Sequence, residues 1–213
     1  MKSDDAVFER CCQLLSDNHY AVIDDFLSSR EVTEVLAGLK HKFSQGKFKQ
    51  ARIGQMEEIQ KDTNIRGDLI YWIDQKVTFA IMHRFMKYLE SFRVYLNRYC
   101  FLNLKDYEMH YAIYPEGTYY KRHLDQFKKD DNRMLTFICY LNFNWKEEDG
   151  GALRLYLKDE NDNENVMDIY PKAGRFVCFR SNLLEHEVLL TKRERYSLTG
   201  WFLNQKTDLK FLK

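Results

Sequence analysis

Between Tyr107 and Leu203 the chain is cut into short apolar runs by Pro115, Gly117, Asp149-Gly150-Gly151, Pro171 and Gly174, and no helical periodicity intervenes. Eight runs of strand length result, at 107–114, 119–125, 134–142, 152–157, 166–170, 175–180, 184–189 and 195–203. Strands at this spacing, with no helix between them, predict a sandwich or jelly roll. An aromatic share of 15% suits that interior, because aromatic side chains fit a pleated, half-buried surface. The segment Asp159-Glu160-Asn161-Asp162-Asn163-Glu164 reads as a solvated hairpin loop, since it lacks the glycine and the spacing of a calcium loop.

Upstream the periodicity is helical. Residues 6–15 form a short amphipathic helix and 20–23 a strand. Ser28 opens a second helix with Glu31 three residues on, the two halves of a capping box. Val32, Val35, Leu36 and Leu39 keep helical spacing until Gly46 stops it. A polar connection over 46–66 includes Arg52-Ile53-Gly54-Gln55 and Glu57-Glu58; loops this long inside a domain are often functional. A strand follows at 69–73. The longest helix covers 77–99, where Ile81, Phe85, Tyr88, Leu89, Phe92, Tyr95, Leu96 and Tyr99 recur every three or four residues. Such a stripe packs on a sheet far more often than it binds a partner. The expected architecture is mainly β with supporting helices, as one domain over 1–213. Within it, 1–105 supplies helices and first strands, and 107–204 the jelly-roll core.

The 33 basic and 32 acidic residues leave a net charge of +1, which makes no general case for a nucleic-acid partner. Lys40, Lys42, Lys47, Lys49 and Arg52 form the one concentrated basic stretch and read as a solvated helix end. The five cysteines are odd in number and form no C-x-x-C pair. With no apolar signal core at the N-terminus and no run long enough to span a bilayer, the chain reads as cytoplasmic with reduced thiols. Cys139 and Cys178 are expected in the core, and Cys11-Cys12 as an inert helical pair.

Chemistry enters with His123-Leu124-Asp125 at the end of a strand-like run. Residues i and i+2 of a strand share a face, so the imidazole and carboxylate converge while Leu124 points away. His186, on another run, can close a two-histidine, one-carboxylate facial triad that leaves positions open on a divalent metal. Nine residues later comes Arg195, past a Thr191-Lys192-Arg193 turn that returns the chain toward the metal. Arg195, Ser197, Thr199 and Trp201 alternate with Tyr196, Leu198, Gly200 and Phe202, so the first four share one oddly polar face. An inward arginine needs an anion, and its planar fork matches a carboxylate. Solvent exposure of Arg195, or a pairing with Glu187, stays open on sequence alone.

His123-x-Asp125, His186 and Arg195, in this order and spacing, resemble the Fe(II)- and 2-oxoglutarate-dependent oxygenases. The resemblance is closest to the prolyl 4-hydroxylase branch, with its hypoxia-inducible-factor prolyl hydroxylases and bacterial relatives. Ile65-Arg66-Gly67-Asp68 with Tyr71-Trp72-Ile73, Tyr114-Pro115 with Gly117-Thr118, and Arg122-His123 fit that pattern. So do Tyr140-Leu141-Asn142, Gly150-Gly151-x-Leu153-Arg154 and Arg195-Tyr196 with Trp201-Phe202. The likeness runs from about residue 65 to 202. Two departures stand out: the Tyr114–Thr118 turn is a residue shorter than in the animal enzymes, and collagen-type members carry lysine where Arg195 stands.

The resemblance implies a double-stranded β-helix (jelly roll, cupin-like) packed on the N-terminal helices. It implies Fe(II) on His123, Asp125 and His186, and the far carboxylate of 2-oxoglutarate on Arg195 and the Tyr140 hydroxyl. Thr199 and Tyr114 would be further contacts, with Leu153 and Ile138 as apolar walls. O2 is consumed, ascorbate is a candidate reductant, and succinate and CO2 leave. Trp201 and Arg133 would border the mouth of the cavity, where a prolyl residue of a protein substrate is hydroxylated at its 4-position. A translation factor is one candidate substrate. A same-fold oxygenase of a free amino acid, another small molecule or an alkylated nucleobase is the alternative, and a non-catalytic jelly-roll module is a third reading that the full ligand set disfavours.

Overall fold

Helices gather early in the chain and strands late, as the change of periodicity near residue 105 requires. The computed structural model describes residues 4–51, 65–74, 79–126 and 132–206. Helix α1 spans Asp4–Asn18, β1 Tyr20–Ile23, α2 Ser29–Ser44, β2 Lys49–Gln50, β3 Leu69–Trp72 and α3 Ala80–Cys100. Eight strands follow: β4 Asp106–Tyr114, β5 Tyr120–His123, β6 Arg133–Tyr140, β7 Leu153–Lys158, β8 Glu164–Ile169, β9 Phe176–Arg180, β10 His186–Val188 and β11 Arg195–Leu203. Residues 52–64 of the polar connection, and position 77 at the expected start of the long helix, lie outside the described residues.

The strands form a seven-stranded sheet in the order β1-β9-β6-β11-β4-β3-β2 and a four-stranded sheet in the order β5-β10-β7-β8, with antiparallel neighbours throughout. Period-two alternation sorts the side chains of the larger sheet. Phe137, Cys139, Phe176, Cys178, Leu198, Phe202, Met109 and Tyr111 pack with Phe8, Val35, Phe85, Leu89 and Phe92 of the three helices. The opposite set, Ile138, Tyr140, Val177 and Phe179, packs with Leu153, Leu155, Ile169 and Leu184 of the smaller sheet and its loops. The result is a helix layer, a large sheet and a small sheet: a double-stranded β-helix with its helices on one side.

Two sequence expectations need refinement. The buried stripe of α3 ends at Leu96, and Tyr99 is 53% exposed, its ring lying outside that of Tyr95 at 4.3 Å. Strand β2 went unexpected, since Lys49 and Gln50 are polar; an edge strand pairs through its backbone and needs no apolar side chain. The capping box of α2 is present as expected. Glu31 N donates to Ser28 Oγ at 3.3 Å and Ser28 N donates to Glu31 Oε2 at 3.0 Å. Cys11, Cys139 and Cys178 are buried, and burial pushes the Cys11 thiol up to about 12, which suits an inert role.

Candidate active site

Strands β5 and β10 lie side by side in the smaller sheet, with His123 directly opposite His186. Cross-strand neighbours on one face stand close, and the two imidazole centroids are 4.3 Å apart. Asp125 follows two residues beyond the end of β5. Leu124 between them is 36% exposed, while Asp125 is buried. The carboxylate reaches both rings: Oδ1 lies 3.5 Å from His123 Nε2 and Oδ2 lies 3.5 Å from His186 Nε2. One ligand atom from each residue falls within 4.8 Å of the others.

Backbone carbonyls fix the tautomers. His123 Nδ1 sits 2.7 Å from the Lys121 carbonyl and His186 Nδ1 sits 3.2 Å from that of Leu184. A carbonyl only accepts, so Nδ1 carries the hydrogen in each ring and Nε2 offers its lone pair. Burial pushes His186 down to about 4, so the ring is neutral and ligand-ready near pH 7. The Asp125 carboxyl is held well below the usual carboxylate range: burial works to raise it, and the charges that outweigh this are those of His186 and His123 in their protonated form and of Arg133. Ring faces lock the geometry: Tyr120 stacks on His123 at 3.7 Å, and Phe179 meets His186 edge-on at 4.7 Å.

These donors fit a divalent ion. Bonds of about 2.0–2.2 Å bring neighbouring ligand atoms to roughly 3 Å, near the present 3.5 Å separations. Two nitrogens and one carboxylate, all from one side, suit iron and leave the other side open.

A second buried polar cluster is built by β11. Arg195 is 1% exposed and pairs in register with Tyr114 of β4. Its Nε donates to the Gly151 carbonyl at 2.9 Å, and its guanidinium carbon lies 4.9 Å from the Tyr114 ring and 5.0 Å from the Tyr140 ring. The pairing with Glu187 left open by the sequence does not form; Glu187 accepts from the Tyr156 hydroxyl at 2.6 Å and faces Arg154. Arg195 Nη2 and the Tyr140 hydroxyl are both buried without a hydrogen-bond partner among the described residues. A buried cation beside an unused hydroxyl is costly unless an anion arrives. Burial pushes Tyr140 up, so its hydroxyl is protonated and can donate.

The glycines of the 150–151 turn make this possible. Both have positive φ, and a Cβ on Gly151 would stand 2.9 Å from Thr191 Oγ1 and 3.2 Å from Arg195 Cδ. Ile138 and Leu153 pack with Tyr140 in one buried apolar cluster. Thr199 is half-buried, in register with Ile138, and its hydroxyl is 3.2 Å from that of Ser197.

Trp201 and Arg133 come together as a pair, the guanidinium 3.6 Å above the indole ring. Arg133 is anchored by Glu108 at 2.8 Å, and His110 stacks beside Trp201 at 5.4 Å. The indole is thus 7% exposed, with Arg133 over its ring.

Several residues went unassigned on sequence. Arg66 grips Asp68 through two bonds of 2.7 and 2.6 Å and lies 4.2 Å over the Tyr120 ring, bracing the ring that stacks on His123. Thr136 donates to Asp125 Oδ2 at 2.7 Å and touches Ser181. The Arg-Gly-Asp segment was visible as a motif and Thr136 as a neighbour of Tyr140 in parity. Nothing in the sequence paired either with the metal ligands.

The sequence profile of the 2OG-Fe(II) oxygenase superfamily matches residues 109–203. The hypoxia-inducible factor prolyl hydroxylase of Caenorhabditis elegans is 30% identical over 211 residues, covering 93% of this chain and 28% of that protein. The matched region spans 28% of the nematode protein's length and between 43% and 54% of the mammalian Egl nine homolog 1 proteins. A prolyl hydroxylase structure from Trichoplax adhaerens, in complex with a hypoxia inducible factor oxygen degradation domain peptide fragment, aligns with TM-score 0.84 and 29% identity over 95% of this chain and 91% of that one. A prolyl-4-hydroxylase of Pseudomonas putida aligns with TM-score 0.81 and 34% identity, over 93% of this chain and 100% of that one. Agreement at that level across the whole bacterial chain settles the descent: this protein belongs to the 2OG-Fe(II) oxygenase superfamily, in its prolyl hydroxylase branch.

Proposed function

We propose that the chain is an Fe(II)- and 2-oxoglutarate-dependent dioxygenase that hydroxylates a prolyl residue of a protein at its 4-position. The observation that carries the co-substrate is the buried, carboxylate-free Arg195 beside the unused Tyr140 hydroxyl. His123, Asp125 and His186 would hold Fe(II), which with O2 and 2-oxoglutarate supplies the oxidising power for C–H hydroxylation, giving succinate and CO2. Arg195 and Tyr140 would clamp the far carboxylate of 2-oxoglutarate, with Tyr114 and Thr199 beside it and Ile138 and Leu153 excluding water.

The Trp201–Arg133 pair is proposed to border the prolyl site, supported by its place on the cavity face in register with Thr136, which holds Asp125. A protein substrate is supported by the peptide complex of the Trichoplax relative. A translation factor remains the proposed candidate, ascorbate the proposed external reductant and the cytoplasm the proposed location.

The test is to incubate purified protein with Fe(II), 2-oxoglutarate and either proline-containing peptides or free L-proline. Succinate release with a one-oxygen mass gain on a peptide proline is the expected result, abolished by His123→Ala. Turnover of free proline with no peptide or protein extract modified would transfer the function to small-molecule hydroxylation.

A further inference from the structure

We infer that Thr136 and Ser181 are positioning residues that hold Asp125 as a one-oxygen metal ligand; this rests on the metal site proposed above. The three side chains are 1%, 0% and 7% exposed respectively, so each polar atom must find its partner inside the protein. Thr136 Oγ1 lies 2.7 Å from Asp125 Oδ2 and 2.9 Å from Ser181 Oγ.

The direction of the bonds follows from proton counting. An ionised carboxylate can only accept, and a threonine hydroxyl has one hydrogen. That hydrogen goes to Asp125, so the contact between the hydroxyls must be Ser181 donating to Thr136. The result is a two-step relay, Ser181 to Thr136 to Asp125, in which each bond polarises the next.

Backbone contacts tie the relay to the ligand-bearing turn. Gln126 N donates to the Ser181 carbonyl at 3.3 Å, and the Gln126 side-chain amide donates to the Arg133 carbonyl at 3.2 Å. Ser181 N in turn donates to the Met134 carbonyl at 3.1 Å. Asp125 is thereby fixed to the larger sheet, whereas His123 and His186 belong to the smaller one. The carboxylate is therefore placed before any metal arrives. Oδ2 accepts from Thr136 and also lies 3.5 Å from His186 Nε2; Oδ1, 3.5 Å from His123 Nε2, is the oxygen with no hydroxyl donor among the described residues and is assigned to the ion. A carboxylate released from Thr136 can turn both oxygens to the ion, which fills a position that co-substrate or oxygen needs.

The experiment titrates metal-free protein with Co(II) as an iron surrogate and follows visible absorption for both affinity and ligand number. Thr136→Val preserves shape and removes the donor. It should raise the Co(II) dissociation constant about 10- to 100-fold and alter the band pattern, while thermal unfolding of the metal-free protein shifts little. Thr136→Ser should restore both, and Ser181→Ala should weaken binding by a smaller factor, about threefold or more. Co(II) affinity and spectrum unchanged in Thr136→Val overturn the inference. Should that variant not fold, unchanged binding by Ser181→Ala overturns it instead. A parent protein that takes up no Co(II) overturns the metal-site reading itself, a result distinct from either.

Discussion

Of the buried nitrogens left without a hydrogen-bond partner among the described residues, that of Arg195 belongs to a permanently charged group set beside an unpartnered tyrosine hydroxyl. Arg195 donates its Nε to the Gly151 carbonyl and leaves Nη2 without a partner among the described residues, and the planar fork is what would let it hold the proposed co-substrate at the same time. Lysine at this position keeps the charge and loses the fork. Arg195→Lys should therefore raise the 2-oxoglutarate concentration for half-maximal turnover about 10- to 100-fold, the equivalent of about 1.5–3 kcal/mol for a lost charge-assisted bond. Co(II) affinity should stay within about threefold, because His123, Asp125 and His186 lie on β5, just past it and on β10, away from β11. Steady-state succinate assays across 2-oxoglutarate concentrations check the first, and metal titration the second. Equal co-substrate dependence in the two proteins would remove Arg195 from the site.

Elements divide into those whose task is local and those whose task appears only on assembly. Helix α2 is of the first kind: Ser28 and Glu31 satisfy each other's backbone, and both are close in sequence. Ser28→Ala should cost about 1 kcal/mol and lower the melting temperature by roughly 2–4 °C. Succinate production per folded molecule should not change; a scanning melt beside an activity assay decides. Such features, with the eight strand runs of the second half, were legible because period and turn chemistry act within a few residues. His123, Asp125, His186 and Arg195 were legible because strand parity and family resemblance agreed. The pairing of Thr136 with Asp125, of Arg66 with Tyr120, and of Arg133 with Trp201 was not, since each joins strands brought together only by sheet order. Tyr99 misled for a similar reason, because helical spacing does not show where the sheet beneath a helix ends.

Across the whole molecule, the buried His110 should make stability fall in acid. Burial pushes His110 down to about 3, with Arg66 and Arg133 adding to it and Asp68 and Asp125 opposing. The unfolded chain takes up that proton near pH 6.5, whereas the folded chain refuses it until about 3. Stability from this group is therefore complete above about pH 6.5 and is lost as pH falls toward 3, at roughly 1.4 kcal/mol per unit. Urea unfolding of metal-free protein at pH 7 and pH 5 should show the loss, and His110→Met should show a smaller one; equal losses would assign the effect elsewhere. Strand β11 has a wider consequence. Its odd positions, Arg195 to Trp201, face the cavity, and its even positions, Leu198 to Phe202, face the helices. The same nine residues write two messages on opposite sides of one ribbon, each in every second letter. Point changes edit one message at a time. A one-residue insertion would transpose both, sending the arginine among the phenylalanines and a phenylalanine toward the iron. Lengthening the 159–163 hairpin should leave this pattern untouched, whereas β11 tolerates no shift of register over residues 195–201 without exchanging its two faces.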